Sequence, residues 1–427
     1  MPVVALRRGA AGVLLSAFVA ACTKDAATSP GLQASTSCPG INPGPAPARL
    51  ALPQNPSGIL QALGNGLDTV RYEGEVAVRG STAYTTSWSV RKVQGNKVSI
   101  WDVSGNVPVL VDSLIVANAT TTGDVAVTDD GSLLVVATER VPGSIAIYDL
   151  TDPRKPKLLS TFSNGDTSPG VHTAEVGRVN GKLYAFLAID PINSTPARLV
   201  TVDLSNPSTP AEVFTKVIGS PYVHDTFLRS GLLFLALWND GVQIWDVGGC
   251  GTGATPEAPH VLGSVKTLGG EVHNIWWYND PSGSKRFAFV GQEGPGIVGS
   301  QSSGDIHVID VSDLTAPKEV AFYTVSGAGT HNFSVDETNG VLYAAYYNGG
   351  VRALDIRGDL GTCDPSQQAF NPTANLTRCD LRLMGRELAI GLADQGKPVY
   401  VWGVQYLNGD VYASDMLNGI WKLRAVK

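Results

Sequence analysis

Residues 224–247 read HDTFLRSGLLFLALWNDGVQIWDV, and three short strands are legible in them. His224 to Leu228 forms the first, Leu232 to Leu237 the second and Val242 to Val247 the third. Asn239-Asp240-Gly241 supplies the hairpin turn, because Asn, Asp and Gly reach the positive φ that tight hairpins demand. Val261 to Val265 adds a fourth strand downstream. The run is too rich in aromatic and branched residues, and too short between turns, for a helix.

The same unit recurs along the chain. Its clearest mark is an apolar strand that ends in Asp and one more apolar residue. Copies stand at Ile100-Trp101-Asp102-Val103, Ile147-Tyr148-Asp149-Leu150, Thr201-Val202-Asp203-Leu204, Ile244-Trp245-Asp246-Val247, Val308-Ile309-Asp310-Val311 and Ala353-Leu354-Asp355-Ile356, with a degenerate last copy at Gly419 to Leu423. Each Asp is placed to accept hydrogen bonds from turn amides two residues on, and prolines such as Pro153, Pro156, Pro207 and Pro210 pre-set φ in the turns. Four antiparallel strands repeated roughly every 45 to 60 residues predict the blades of a single all-β propeller. The spacing puts seven blades near residues 70–117, 122–165, 169–219, 221–267, 270–326, 328–395 and 398–427. Six or eight stay open, since the first copy is divergent and about 358–383 is an insertion. The last copy lacks an outer strand. Residues around Ile59 to Val70 can supply it and close the ring without an open sheet edge.

With these repeats in view, the chain resembles the LVIVD-repeat family of bacterial β-propellers, named for an apolar strand ending in Asp. Tyr148-Asp149-Leu150 and Ile309-Asp310-Val311 carry the resemblance, which spans most of residues 70 to 357 and implies a fold more than an activity. A lesser likeness to WD-repeat propellers lies in Trp238 to Asp246. In those proteins a histidine before the first strand joins a structural hydrogen-bond network.

The N-terminal segment points to export. Arg7 and Arg8 precede an apolar run, Ala10 to Ala21, that is too short to span a bilayer. Val19-Ala20-Ala21-Cys22 resembles the bacterial lipobox, which implies a signal peptide over 1–21 and a lipid on Cys22. Thr23 in place of Asp implies sorting to the outer membrane or cell surface of the cell envelope rather than inner-membrane retention. Residues 22–56 are rich in Ser, Thr, Ala, Gly and Pro and read as a flexible tether, leaving 57–427 for the propeller. Besides Cys22 the cysteines are Cys38, Cys250, Cys363 and Cys379, an even number that suits two disulfides in an exported chain. Cys363 and Cys379 flank the insertion and form the natural loop-closing pair. Cys38 would then join Cys250 and tie the tail to a blade loop, with two other pairings open. No two of them stand at zinc-ligand spacing.

Composition narrows the partners. The 427 residues are 43% hydrophobic and 16% charged with a net charge of −7, so the core is large and no basic footprint invites nucleic acid or anionic headgroups. Contact with the membrane is expected through the anchor alone. Past the signal no apolar run is long enough for a second span.

Four of the six histidines share one slot at the start of the first strand, the one nearest the propeller axis. They are His172, His224, His273 and His331, and Asp124 in Gly123-Asp124-Val125 takes the slot in the blade before them. The ends of the second strands carry Glu139, Asp190, Asn239, Glu293, Asn348 and Asp415, which open on the same face because strands alternate in direction. Imidazoles beside carboxylates suit one Zn, Fe, Cu or Mn ion, with Glu139 and Glu293 as ligands or as orienting acceptors. A four-histidine iron centre lies at the axis of carotenoid-cleaving propellers, although nothing else here matches that family. The competing reading makes each histidine a structural hydrogen-bonder copied with its blade. His260 and His307 fall outside the pattern. No Gly-x-Ser-x-Gly elbow, phosphate loop or His-Glu-x-x-His occurs. The expectation is a membrane-anchored binding scaffold that engages a protein or small-molecule ligand at its top face. The alternative is a metal-dependent hydrolase or oxidoreductase working at the histidine ring.

Overall fold

A computed structural model describes Cys38, residues 58–193 and residues 195–426. Alternating apolar runs and Gly- or Asn-bearing turns give strands of mostly five to eight residues, collected in seven sheets. Each sheet contains four antiparallel strands that make a blade, and two of the sheets carry further strands at the outer edge. The first blade runs through Tyr72–Arg79, Thr82–Trp88, Lys97–Asp102 and Val109–Ile115. The inner strand of each blade touches that of the next, and Val401–Leu407 of the seventh returns to Tyr72–Arg79, so the ring is closed.

Burial explains the sequence pattern. Second strands are covered on both faces by neighbouring blades and most are largely apolar, as in Leu133–Thr138 and Leu232–Ala236, where every residue is buried. Outer strands border solvent and are mixed, as in Val109–Ile115. The core is a series of clusters between successive blades. One of them packs Tyr184, Phe186 and Leu199 of the third blade against Leu233, Leu235 and Trp245 of the fourth.

The seventh blade takes its outer strand from the other end of the chain. Ala62–Gly66 pairs antiparallel with Gly419–Arg424, and just before it Ile59–Leu60 pairs in parallel with Glu387–Gly391 of the sixth blade. The insertion does not disturb the ring. After Pro365–Gln367 it forms a hairpin, Gln368–Asn371 and Leu376–Asp380, that adds to the outer edge of the fifth blade. Disulfides join Cys363 to Cys379 and Cys38 to Cys250, the latter across 212 residues of sequence. Cys22 and the signal segment lie outside the described residues.

The turn aspartates act as their spacing predicts. Asp102, Asp149, Asp203, Asp246, Asp310 and Asp355 each accept the amide of the residue two positions on, at 2.7–3.1 Å.

Candidate functional site

The site is built at the start of the inner strands, where the hairpin registers slip. Register shifts separate Val171 from Thr173 and Val272 from Asn274, so His172 and His273 are bulged residues. His224 and His331 come just before their strands, yet each amide is bonded to the second strand, to the carbonyls of Ala236 and Ala345 at 2.8 Å. A bulge re-aims a side chain that a regular strand would send into a blade interface. Here it turns four imidazoles toward the axis.

Cross-strand pairs fix which positions are equivalent. Val125 faces Val136, Ala174 faces Leu187, Thr226 faces Leu235, Ile275 faces Val290 and Phe333 faces Ala344. Counting back from these, His172, His224, His273 and His331 share their slot with Gly123, not with Asp124. Asp124 belongs one layer lower, with Thr173, Asp225, Asn274 and Asn332. The second blade carries the same bulge, between Thr122 and Val125, so the displacement has another cause: Gly123 fills the slot without a side chain to mark it, and the neighbouring Asp124 stands in its place in the sequence pattern. Counting forward along the second strand gives a rim of Glu139, Asp190, Trp238, Glu293 and Tyr347. Asn239, Asn348 and Asp415 are not part of it. Asn348 and Asp415 hold turns instead, bonding Ser302 and Leu417 among others.

The four imidazoles form a continuous arc. Ring centroids are 4.1 Å apart from His172 to His224, 4.1 Å from His224 to His273 and 4.0 Å from His273 to His331. Glu293 stands against three of them. Its carboxylate oxygens lie 3.6 Å from His224 Nε2, 3.8 Å from His273 Nε2 and 3.9 Å from His331 Nε2. The Tyr347 hydroxyl donates to Glu293. His331 Nδ1 is 2.8 Å from the Trp402 carbonyl, which can only accept, so Nδ1 carries the proton and Nε2 the lone pair. His331 Nε2, His224 Nδ1 and His273 Nδ1 are buried and find no hydrogen-bond partner among the described residues. At the other end of the arc, His172 Nδ1 is 3.3 Å from Asp190 and 3.8 Å from Glu139.

Electrostatics divides the arc. Burial, reinforced by neighbouring imidazoles, pushes His224, His273 and His331 well below the ordinary histidine range and keeps them neutral. Burial also acts to lower His172, but Asp190 and then Glu139 outweigh it and hold that ring up at about 10. Burial raises Glu293 to about 7 against the opposing Tyr347 hydrogen bond.

Above the arc opens a cavity of about 730 Å³ whose walls include Trp88, Tyr222, Trp238 and Trp402. Below it a pocket of about 60 Å³ leads toward a second, lower chamber of about 800 Å³. Glu75, Asp124, Glu175 and Asp225 line that chamber, and burial raises all four carboxyls, Glu75 to about 8 and Glu175 to about 7. Sequence reading singled out Asp124, though in the histidine slot, and missed Glu75, Glu175 and Asp225, the Tyr347 hydroxyl and the Trp402 carbonyl. Aligning the hairpins by cross-strand pairs would have exposed the carboxylates and the hydroxyl, since both recur at fixed offsets. A main-chain acceptor leaves no mark on side-chain pattern.

The signature of the LVIVD repeat matches residues 192–216 and 301–325, which hold the third strands and most of the fourth in blades three and five. Among solved structures the chain is similar to the WD40 β-propeller domain of Doa1. The TM-score is 0.55 at 10% identity, over 85% of this chain and 96% of that one, a likeness of fold alone. No curated protein matches the chain. Seven four-stranded blades and two matched repeats together identify the chain as a seven-bladed β-propeller carrying LVIVD repeats.

Proposed function

We propose that the chain is an extracytoplasmic binding propeller, anchored through Cys22, that holds a transition-metal ion at the mouth of its channel and presents it to a ligand in the cavity above. The observation that carries the metal is the convergence of Nε2 of His224, His273 and His331 on the Glu293 carboxylate, at 3.6–3.9 Å, with the buried His331 Nε2 finding no hydrogen-bond partner among the described residues. A buried polar atom without a partner costs about 1–3 kcal/mol, so His331 Nε2 beside Glu293 favours an occupant that takes its lone pair. His331 adds the arrangement common to metal-bound histidines, one nitrogen fixed by a carbonyl and the other free. His224, His273, His331 and Glu293 would be the ligands, a donor set suited to Zn, Fe, Cu or Mn. Elemental analysis of purified protein should find at least one such ion per chain. His224→Ala together with His273→Ala should lose the ion bound by these ligands while the fold persists. Metal-free wild type after incubation with Zn²⁺, Fe²⁺, Cu²⁺ and Mn²⁺ in turn would refute the reading.

The cavity above the histidines also favours a second reading, a metal-dependent hydrolase or oxidoreductase, because its volume lies in the small-molecule range. Turnover that disappears with the ion and returns on reloading would establish it. The anchor is supported by sequence, by the basic Arg7-Arg8 pair, the short apolar run and the lipobox-like Val19 to Cys22. Cys22→Ser should abolish acylation and release the protein from membranes or leave its precursor unprocessed, as read by mass spectrometry and fractionation.

A further inference from the structure

The second and third blades bring another group of donors to the same mouth. His172 Nδ1 is 3.3 Å from each carboxylate oxygen of Asp190 and 3.8 Å from Glu139 Oε1. One donor atom from each of these residues lies within 4.8 Å of the others, as do donor atoms of His224, His273 and Glu293 next door. We propose that Glu139, His172 and Asp190 hold a second divalent cation, so that the mouth of the channel carries a pair of ions. This inference rests on the metal reading of the neighbouring histidines.

Three observations support it. Charge is the first. An imidazolium balances one of the two carboxylates and leaves the other to Arg140 of the same cavity wall. Arg140 forms no ion pair with Glu139 among the described residues, and in a largely enclosed place a poorly balanced charge is costly. A divalent ion with a neutral imidazole balances both. Space is the second. The histidine slot in the second blade is Gly123, and a Cβ there would stand 3.3 Å from both Cβ and Oε2 of Glu139 and 3.1 Å from the His172 carbonyl. The missing side chain gives the Glu139 carboxylate room to turn toward His172. Shared access is the third. Both donor groups line the cavity of about 730 Å³, and the His172 and His224 rings are 4.1 Å apart, so one ligand could touch both ions. Paired catalytic ions elsewhere sit about 3.5–4 Å apart and grip two oxygens of one substrate. Two carboxylates with one imidazole suit Zn²⁺, Fe²⁺ or Mn²⁺.

The test is stoichiometry. Full-length protein is stripped with chelator, reloaded with Zn²⁺, freed of excess metal and analysed for zinc per chain. Wild type should hold two. Asp190→Asn and, separately, Glu139→Gln should each hold one with melting temperatures close to that of wild type, and His224→Ala with His273→Ala should spare the Glu139 group's ion. One zinc in wild type, or two zincs retained in both carboxylate variants, would overturn the second site and leave the first standing. No zinc at all would overturn both.

Discussion

Glu75 sits in the lower chamber, where its carboxyl is raised to about 8 by burial and then by repulsion from Asp124. Asn332 donates to it, and the Val76 amide is 2.9 Å from its Oε1. An acid whose pKa is higher folded than unfolded binds more protons in the folded state between the two values. Stability therefore falls as pH rises from about 4.5, the unfolded value, through about 8. Wild-type melting temperature should decline across that window in a pH series read by scanning calorimetry. Glu75→Gln, which cannot ionise, should flatten the decline and melt higher than wild type at pH near 8, by a few degrees on the scale of about 1 kcal/mol. An unchanged slope would show that the Glu75 proton is not coupled to folding. The sequence foreshadows this tolerance, because the equivalent position is already an amide at Asn274 and Asn332.

At the scale of elements, the insertion is an addition to the fifth blade's edge. Ala321 and Phe322 pair in parallel with Cys379 and Asp380. Arg378 reaches inward to Glu319, which also bonds His307 at 2.7 Å, so a buried polar trio ties the hairpin to the blade. The Cys363–Cys379 bridge closes a loop of 16 residues over it. Chain entropy assigns such a bridge about 3 kcal/mol. Cys363→Ala with Cys379→Ala should speed tryptic cleavage at Arg378 and Arg382, while the ring unfolds in a single transition. If cleavage stays slow, the buried trio and strand pairing suffice without the bridge. Elements of this kind mark the limit of what the residues announce. Blade boundaries, the turn aspartates and the closing strand were legible because they recur with a period or complete one. The hairpin's attachment to the fifth blade was not, since the insertion lies within the sixth and nothing local names its neighbour. His307 looked ordinary because its partners stand in another strand and in the insertion. For the histidine slot, residue type and repetition exposed four members, and the absence of a side chain at Gly123 hid the true place of Asp124.

At the scale of the whole molecule, one strand from the other end of the chain completes the seventh blade. Ala62–Gly66 covers the outer edge of the seventh blade, with Asn65 Nδ2 bonding the Asn418 and Ile420 carbonyls at 3.0 and 3.1 Å. Removing residues 58–66 would leave Gly419–Arg424 with an open edge, a template for pairing with another chain. That deletion should lower the melting temperature and shift the protein to larger species by size-exclusion chromatography with light scattering. A monomer that melts like wild type would show that inter-blade packing alone keeps the ring shut. The closing strand lies near the end of the chain through which a lipid anchor would pull, and a load carried along the backbone would peel it from the seventh blade. The Cys38–Cys250 bridge changes where that load goes. With an anchor at the N-terminal end, tension would reach Cys38 first and pass through sulfur into the fourth blade. The pairing of Ala62–Gly66 with Gly419–Arg424 would then be bypassed by the load.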